Sequence, residues 1–176
     1  MRAIVIGLAM LAAAPASAEV VRSSPNGFEV RHAVDVPLSP QRAWTAFEQV
    51  GSWWDGEHTY SGNAANMRMA LSIGACLCEI FEETGGGIEH LRVVYADPHK
   101  RAVLTGGLGP LLYEAVAGVM DIKVDPAAGG SRVTMTYKVA GFAAGNGDKM
   151  APLVDQVLGE QMKRYGAYAA REAKRP

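Results

Sequence analysis

The feature that most restricts this chain is a succession of strand-like segments with no helix between them, closed by one long amphipathic helix. Segments 67–73, 76–83, 88–96, 102–106 and roughly 113–124 carry apolar side chains at strand spacing. Turn sequences separate them: Gly74, Gly85-Gly86-Gly87, Asp97-Pro98 and Gly107-Leu108-Gly109-Pro110. After a further turn at 126–130, Val133, Met135, Tyr137 and Val139 alternate with Arg132, Thr134, Thr136 and Lys138, the clearest strand in the chain. From 150 to 172 the spacing changes to three and four, placing Val154, Leu158, Met162, Tyr165 and Ala169 on one stripe. Asp148 is the expected cap of this helix, and Pro152 is tolerated in its first turn. Strands in succession exclude a doubly wound parallel sheet and imply an α+β domain. A sheet with one apolar face must cover it, and the last helix is the long amphipathic element available to do so.

Upstream, Phe28, Val30, His32, Val34 and Val36 alternate with polar or small residues from Gly27 to the stop at Pro37. Ser39 then stands as an N-cap with Pro40 in the first helical position, and Ala43, Trp44, Phe47 and Val50 recur at helical spacing. Gly51 ends this short helix. Ser52-Trp53-Trp54-Asp55 begins a second brief turn or helix, followed by a polar loop at 56–66.

The N-terminus has the form of a cleavable secretory leader. Arg2 is a minimal positive region, residues 3–14 are uncharged, Pro15 breaks the run, and Ala16-Ser17-Ala18 is the small-x-small triplet a signal peptidase accepts. Twelve uncharged residues are too few to cross a bilayer, which takes about 20. The expected partition is a signal peptide at 1–18, an extension at 19–26, one domain at 27–172 and a charged tail at 173–176. Export across the inner membrane to the periplasm follows as an expectation, without stable membrane insertion. Seventeen Lys and Arg, one of them Arg2, face eighteen Asp and Glu. That mixed surface argues against nucleic acid as a partner. Cys76 and Cys78 form one Cys-Leu-Cys unit. On an extended strand they share a face with diverging β-carbons, so the expectation is two unbridged thiols.

The order of elements, with Val36-Pro37, Ser39-Pro40-Gln41-Arg42-Ala43-Trp44, Trp53-Trp54 and the Gly74 to Glu79 strand, resembles the helix-grip fold of the START and birch-pollen-allergen superfamily (SRPBCC). The likeness runs from about Gly27 to Glu172. Within that group the chain looks most like an exported branch related to polyketide cyclases and to activators of a heat-shock ATPase. The resemblance implies a curved antiparallel sheet wrapped on the long C-terminal helix, with a cavity between them. It does not imply one chemistry, because carriers, receptors, cyclases and co-chaperones share the fold.

Several residues are candidates for a site in that cavity. Val154, Leu158, Met162 and Tyr165 would form one wall opposite Met120, Ile122, Met135 and Tyr137, with two methionines giving an adaptable lining. Trp53, Trp54 and Tyr60 would stand near the mouth, one tryptophan gating and the other packing the short helices down. Glu79, His58 and His90 are the candidates for acid–base work. Glu79 either faces solvent and pairs with Arg92, or is buried with a raised pKa or a partner such as Arg92 or His90. His32 is expected inward as a hydrogen-bonded core residue, and His99 in a turn. Cys76 and Cys78 with His58 or His90 would make a poor soft-metal site, so no metal and no cofactor are expected. Neither glycine cluster leads into a helix carrying Lys-Ser/Thr, and no Gly-x-Ser-x-Gly elbow is present. The leading expectation is a carrier or sensor of an apolar small molecule. The alternatives are a cyclase- or hydrolase-like enzyme using Glu79 with His58 or His90, and an envelope protein-interaction module.

Overall fold

The computed structural model describes residues 17–175. Its strands are β1 (Ser17–Ser24), β2 (Gly27–Val36), β3 (Met67–Met69), β4 (Cys76–Phe81), β5 (Gly86–Asp97), β6 (Arg101–Thr105), β7 (Ala117–Ala127) and β8 (Gly130–Ala140); α1 spans Pro40–Glu48 and α2 spans Gly147–Glu172. All eight strands join one curved antiparallel sheet in the order β1-β2-β8-β7-β6-β5-β4-β3. With α2 and a few short helices this is the α+β helix-grip architecture expected from the order of elements. No helix among the described residues is long and apolar enough to cross a membrane. Most of the leader lies outside the described residues. Ser17 and Ala18 belong to β1, and cleavage before Glu19 would leave the rest of that strand in place.

Local chemistry accounts for the helices. Ser39 caps α1: its backbone is extended, and its Oγ accepts from the Arg42 N–H at 3.4 Å. The face of α1 that it starts buries Ala43, Trp44, Ala46 and Phe47. The second helix begins one residue before the expected cap, with Asn146 in the N-cap position and Asp148 already helical. The Gly147 N–H donates to the Pro25 carbonyl at 2.9 Å, so the helix start is docked on the β1–β2 turn. A side chain at Gly147 would meet the backbone of Gly27 at 2.6 Å, which explains the glycine.

The α2 helix lies against β1 and β2 and touches α1. Tyr165 ties these layers together. Its hydroxyl donates to the Ala43 carbonyl at 2.9 Å, and its ring meets Phe47 edge-on at 4.9 Å. Burial pushes its phenol well above the ordinary value. Met120, Ile122, Met135, Tyr137 and Met162 are all buried in the same packed core. The Tyr137 hydroxyl donates to the Gly106 carbonyl at 2.8 Å and accepts from the Leu108 N–H at 3.0 Å. Burial raises its pKa to about 12.

Three expectations need correction. Strand β1 sits where only an extension was expected, because Glu19, Arg22, Ser23 and Ser24 mask the apolar alternation and a bulge interrupts it between Val20 and Arg22. Segment 67–73 holds only three strand residues, and Tyr113 belongs to a 3-10 turn, Gly109–Glu114, rather than to β7. Third, Cys76 and Cys78 are bridged by a disulfide. The opposite expectation assumed an extended strand, in which alternate Cα atoms stand about 6.6 Å apart. Instead β4 pairs with β5 across a bulge, Leu77 facing Leu91 and Cys78 facing Glu89, with His90 inserted between them. In this bent region the two cysteine Cα atoms are 5.4 Å apart, within reach of a bridge.

Candidate functional site

Because α2 lies over the β1–β2 side of the sheet, the inner face of β4 and β5 is covered by loops instead. A cavity of about 380 Å³ remains there. Its walls come from α2 (Met150, Leu153, Val154, Val157 and Leu158), from the Leu108–Leu111 turn, and from Trp54, His58 and Tyr60. Met67 and His90 close the sheet side. Tyr60 and Leu153 are also exposed to solvent, so they mark the mouth.

His90 reaches this cavity because of the bulge. In a regular strand neighbouring side chains point to opposite faces. Here His90 and Leu91 are both buried, while Glu89 and Arg92 are exposed. The shift was visible in the sequence as a change of phase, with apolar side chains at Ile88, then Leu91 and Val93. Burial holds the His90 imidazole below its ordinary pKa, against the pull of the Glu79 carboxylate. Neither ring nitrogen has a hydrogen-bond partner. Its Nε2 lies 3.6 Å from Glu79 Oε2, an ion-pair distance rather than a hydrogen bond. The Tyr60 ring stacks on the imidazole with centroids 5.9 Å apart.

Glu79 is fully buried on the inner face of β4. Arg92 does not approach it and instead pairs with Glu89 on the outer face. The Glu79 oxygens accept from the Tyr60 N–H at 2.9 Å and the Ser61 N–H at 2.5 Å. Burial alone would raise this carboxyl, but the Ser61 side chain, these two N–H groups and the facing His90 outweigh it and hold the pKa below the usual value. A pKa raised by burial, one of the options read from the sequence, is therefore not what the structure shows. Glu79 is an ionised anchor for the Tyr60–Ser61 backbone.

A second network fixes the 53–58 segment. Buried Gln161 accepts from the Asp55 N–H at 2.8 Å through Oε1, and its Nε2 lies 3.1 Å from Nδ1 of His58. Trp54 donates its indole N–H to the His58 carbonyl at 3.0 Å. Arg164 donates to the Trp53 carbonyl at 3.0 Å. Gln161 is a polar residue on the buried face of α2 and Arg164 lies on its exposed side, so this role was missed by a reading that followed only the helix's apolar residues.

The candidate residues thus separate into two groups. Trp54, His58, Tyr60, His90, Val154 and Leu158 line the cavity. Trp53 packs against Phe47 and Tyr165, and Met120, Met135, Tyr137, Met162 and Tyr165 are core side chains that do not line it. Lining residues missed from the sequence include Met150, Leu153 and Val157, which form a second stripe beside Val154 and Leu158. His32 is buried with Nε2 3.0 Å from Asp155 Oδ1, joining β2 to α2 away from the cavity. His99 sits in a turn at φ 67°. The cysteines share a face of β4 opposite Glu79, and their sulfurs are joined, so they provide no metal ligands to His58 or His90.

Compared with known proteins, the chain matches no family profile and no curated protein. Its fold does match solved structures. A protein of Mesorhizobium loti aligns with TM-score 0.57 and 15% identity over 81% of this chain and 97% of that one. A Rhizobium loti protein aligns with TM-score 0.55 and 21% identity, covering 81% and 95%. An AHSA1-like protein from Aeromonas hydrophila aligns with TM-score 0.56 and 11% identity, covering 84% and 96%. At these identities the likeness establishes the fold alone. The class defined is a helix-grip protein with a lateral cavity.

Proposed function

We propose that the chain is an exported, periplasmic carrier or sensor of an apolar small molecule. The observation that carries this reading is the lateral cavity, about 380 Å³ with mostly apolar walls and a mouth flanked by Tyr60 and Leu153. That size lies within the usual range of small-molecule pockets, and walls of this kind favour apolar over charged occupants. Trp54 on the wall supplies an intrinsic reporter. The test is titration of the purified protein with an apolar dye, following tryptophan fluorescence, together with native mass spectrometry of protein taken from its own periplasm. Saturable binding, or a co-purifying apolar molecule, is expected; absence of both defeats the reading. Export has its own check. Secreted protein should have an intact mass beginning at Glu19, and material retaining residues 1–18 would refute it.

A second reading, acid–base chemistry in the same cavity, is favoured by the buried Glu79–His90 pair. Both side chains point inward, as an enzyme would require. The pair is 3.6 Å apart, however, and the Glu79 carboxylate is engaged by backbone N–H groups, so it is a weak base. Binding is the reading these contacts support better.

A further inference from the structure

We propose that the cavity is built for a neutral, hydroxyl-bearing apolar molecule, whose hydroxyl donates to Nδ1 of His90 once the Tyr60 ring swings aside. This inference rests on the binding reading above and names the chemical class that the cavity takes.

The buried polar side chains around the cavity are satisfied with one exception, and the Glu57 carboxylate at its edge is exposed to solvent. Trp54 donates to the His58 carbonyl, Thr59 donates its hydroxyl to the Gly56 carbonyl, Gln161 is held by Asp55 and His58, and Glu79 accepts from two backbone N–H groups. His90 is 4% exposed, lines the cavity, and has both ring nitrogens unpartnered. A buried polar atom without a partner is costly, so a ligand atom that completes it gains more than a solvent-exposed contact would.

The neighbour of His90 decides which partner fits. Glu79 Oε2 faces Nε2, and a carboxylate can only accept. It therefore favours the tautomer with the proton on Nε2, which leaves Nδ1 as an acceptor. The complementary ligand atom is a donor. An anionic head would meet the Glu79 charge behind the ring and Glu57 at the edge, while a cationic one would be drawn to the exposed Glu57 but lose its hydration against the mostly apolar walls nearer His90. A hydroxyl on an apolar body meets these conditions.

Tyr60 is the movable cover. Its ring stacks on His90 yet is 43% exposed, while its backbone N–H is pinned by Glu79. Rotation of the side chain can uncover the imidazole without displacing the backbone.

The test compares 2-naphthol with 2-methoxynaphthalene, two probes of similar shape of which only the first can donate. Wild-type protein should bind the naphthol about tenfold more tightly, the scale of one hydrogen bond. In His90→Phe the preference should disappear while the methoxy compound still binds, with circular dichroism confirming that the variant is folded. On the wild-type protein, the ¹⁵N resonance of His90 Nδ1 should report an unprotonated nitrogen that shifts with naphthol and not with its ether, a readout that does not depend on the variant folding. Equal affinities in the wild type, or a protonated Nδ1, would overturn the proposal and leave the carrier reading standing. Failure of both probes to bind would remove the carrier reading and this inference together.

Discussion

Glu79 and His90 show how far one residue's role depends on its immediate partners. Glu79→Ala should leave the part-buried Tyr60 and Ser61 N–H groups without their acceptor and destabilise the protein by about 1–2 kcal/mol, read from urea unfolding. Acid titration gives a related check. The native pKa of Glu79 is held below its ordinary 4.5, so its contribution is complete above that value and is lost as pH falls through the native pKa. The acid-induced fall in Tm below about pH 4.5 should therefore be shallower in Glu79→Gln. For His90 the window is higher. Burial depresses its native pKa below the ordinary 6.5, so as pH drops beneath that value the unfolded chain takes up a proton that the native protein resists. Stability should fall from about pH 6.5 downward, and His90→Phe should flatten part of that slope. The rest should persist, because buried His32 is shifted in the same direction. An unchanged slope in the variant would contradict this account.

At the scale of elements, bulges do what alternation cannot. In β5 one bulge directs both His90 and Leu91 inward, and a second falls between Val93 and Tyr95. Opposite the first, β4 holds the Cys76–Cys78 bridge on its outer face. Thiol titration of denatured, unreduced protein should accordingly find no free thiol, and reduction should add two. The bridge closes a ring with one intervening residue, so reduction should lower stability by no more than about 1–2 kcal/mol. Two thiols in the unreduced sample would restore the expectation drawn from an extended strand.

On the scale of the whole molecule, the interior is solid under one end of α2 and open under the other. Met135 is packed among Tyr137, Met120 and the rest of the core. Met135→Trp should overpack it and cost about 1–3 kcal/mol. Val154, half-buried on the cavity wall, has space beside it. Val154→Trp should abolish apolar-dye binding with a change in Tm of no more than a few degrees. The pair of variants distinguishes a lateral cavity from one running the full length between sheet and helix. If Met135→Trp were the variant that lost dye at no cost in stability, the cavity would extend to Met135 beneath the helix.

The sequence by itself determined the order of elements from β2 onward, the antiparallel α+β architecture, the Ser39-Pro40 start of α1 and the covering role of α2, because these follow from periodicity, caps and turn residues within a few positions of one another. It placed Trp54, Tyr60, His58, His90, Val154 and Leu158 among the candidates, and all of them line the cavity. Tertiary structure decided the rest. Whether Met135 or Val157 borders a void depends on where α2 crosses the sheet, and that is set by distant contacts such as Tyr165 with Ala43 and Gly147 with Pro25. The bridging of the cysteines and the facing of His90 depend on a register shift between two strands, of which the sequence carries only the change of apolar phase between Ile88 and Leu91, while the pairing decides where the extra residue falls. The state of Glu79 likewise comes from two backbone N–H groups some nineteen residues away, so no local pattern could encode it.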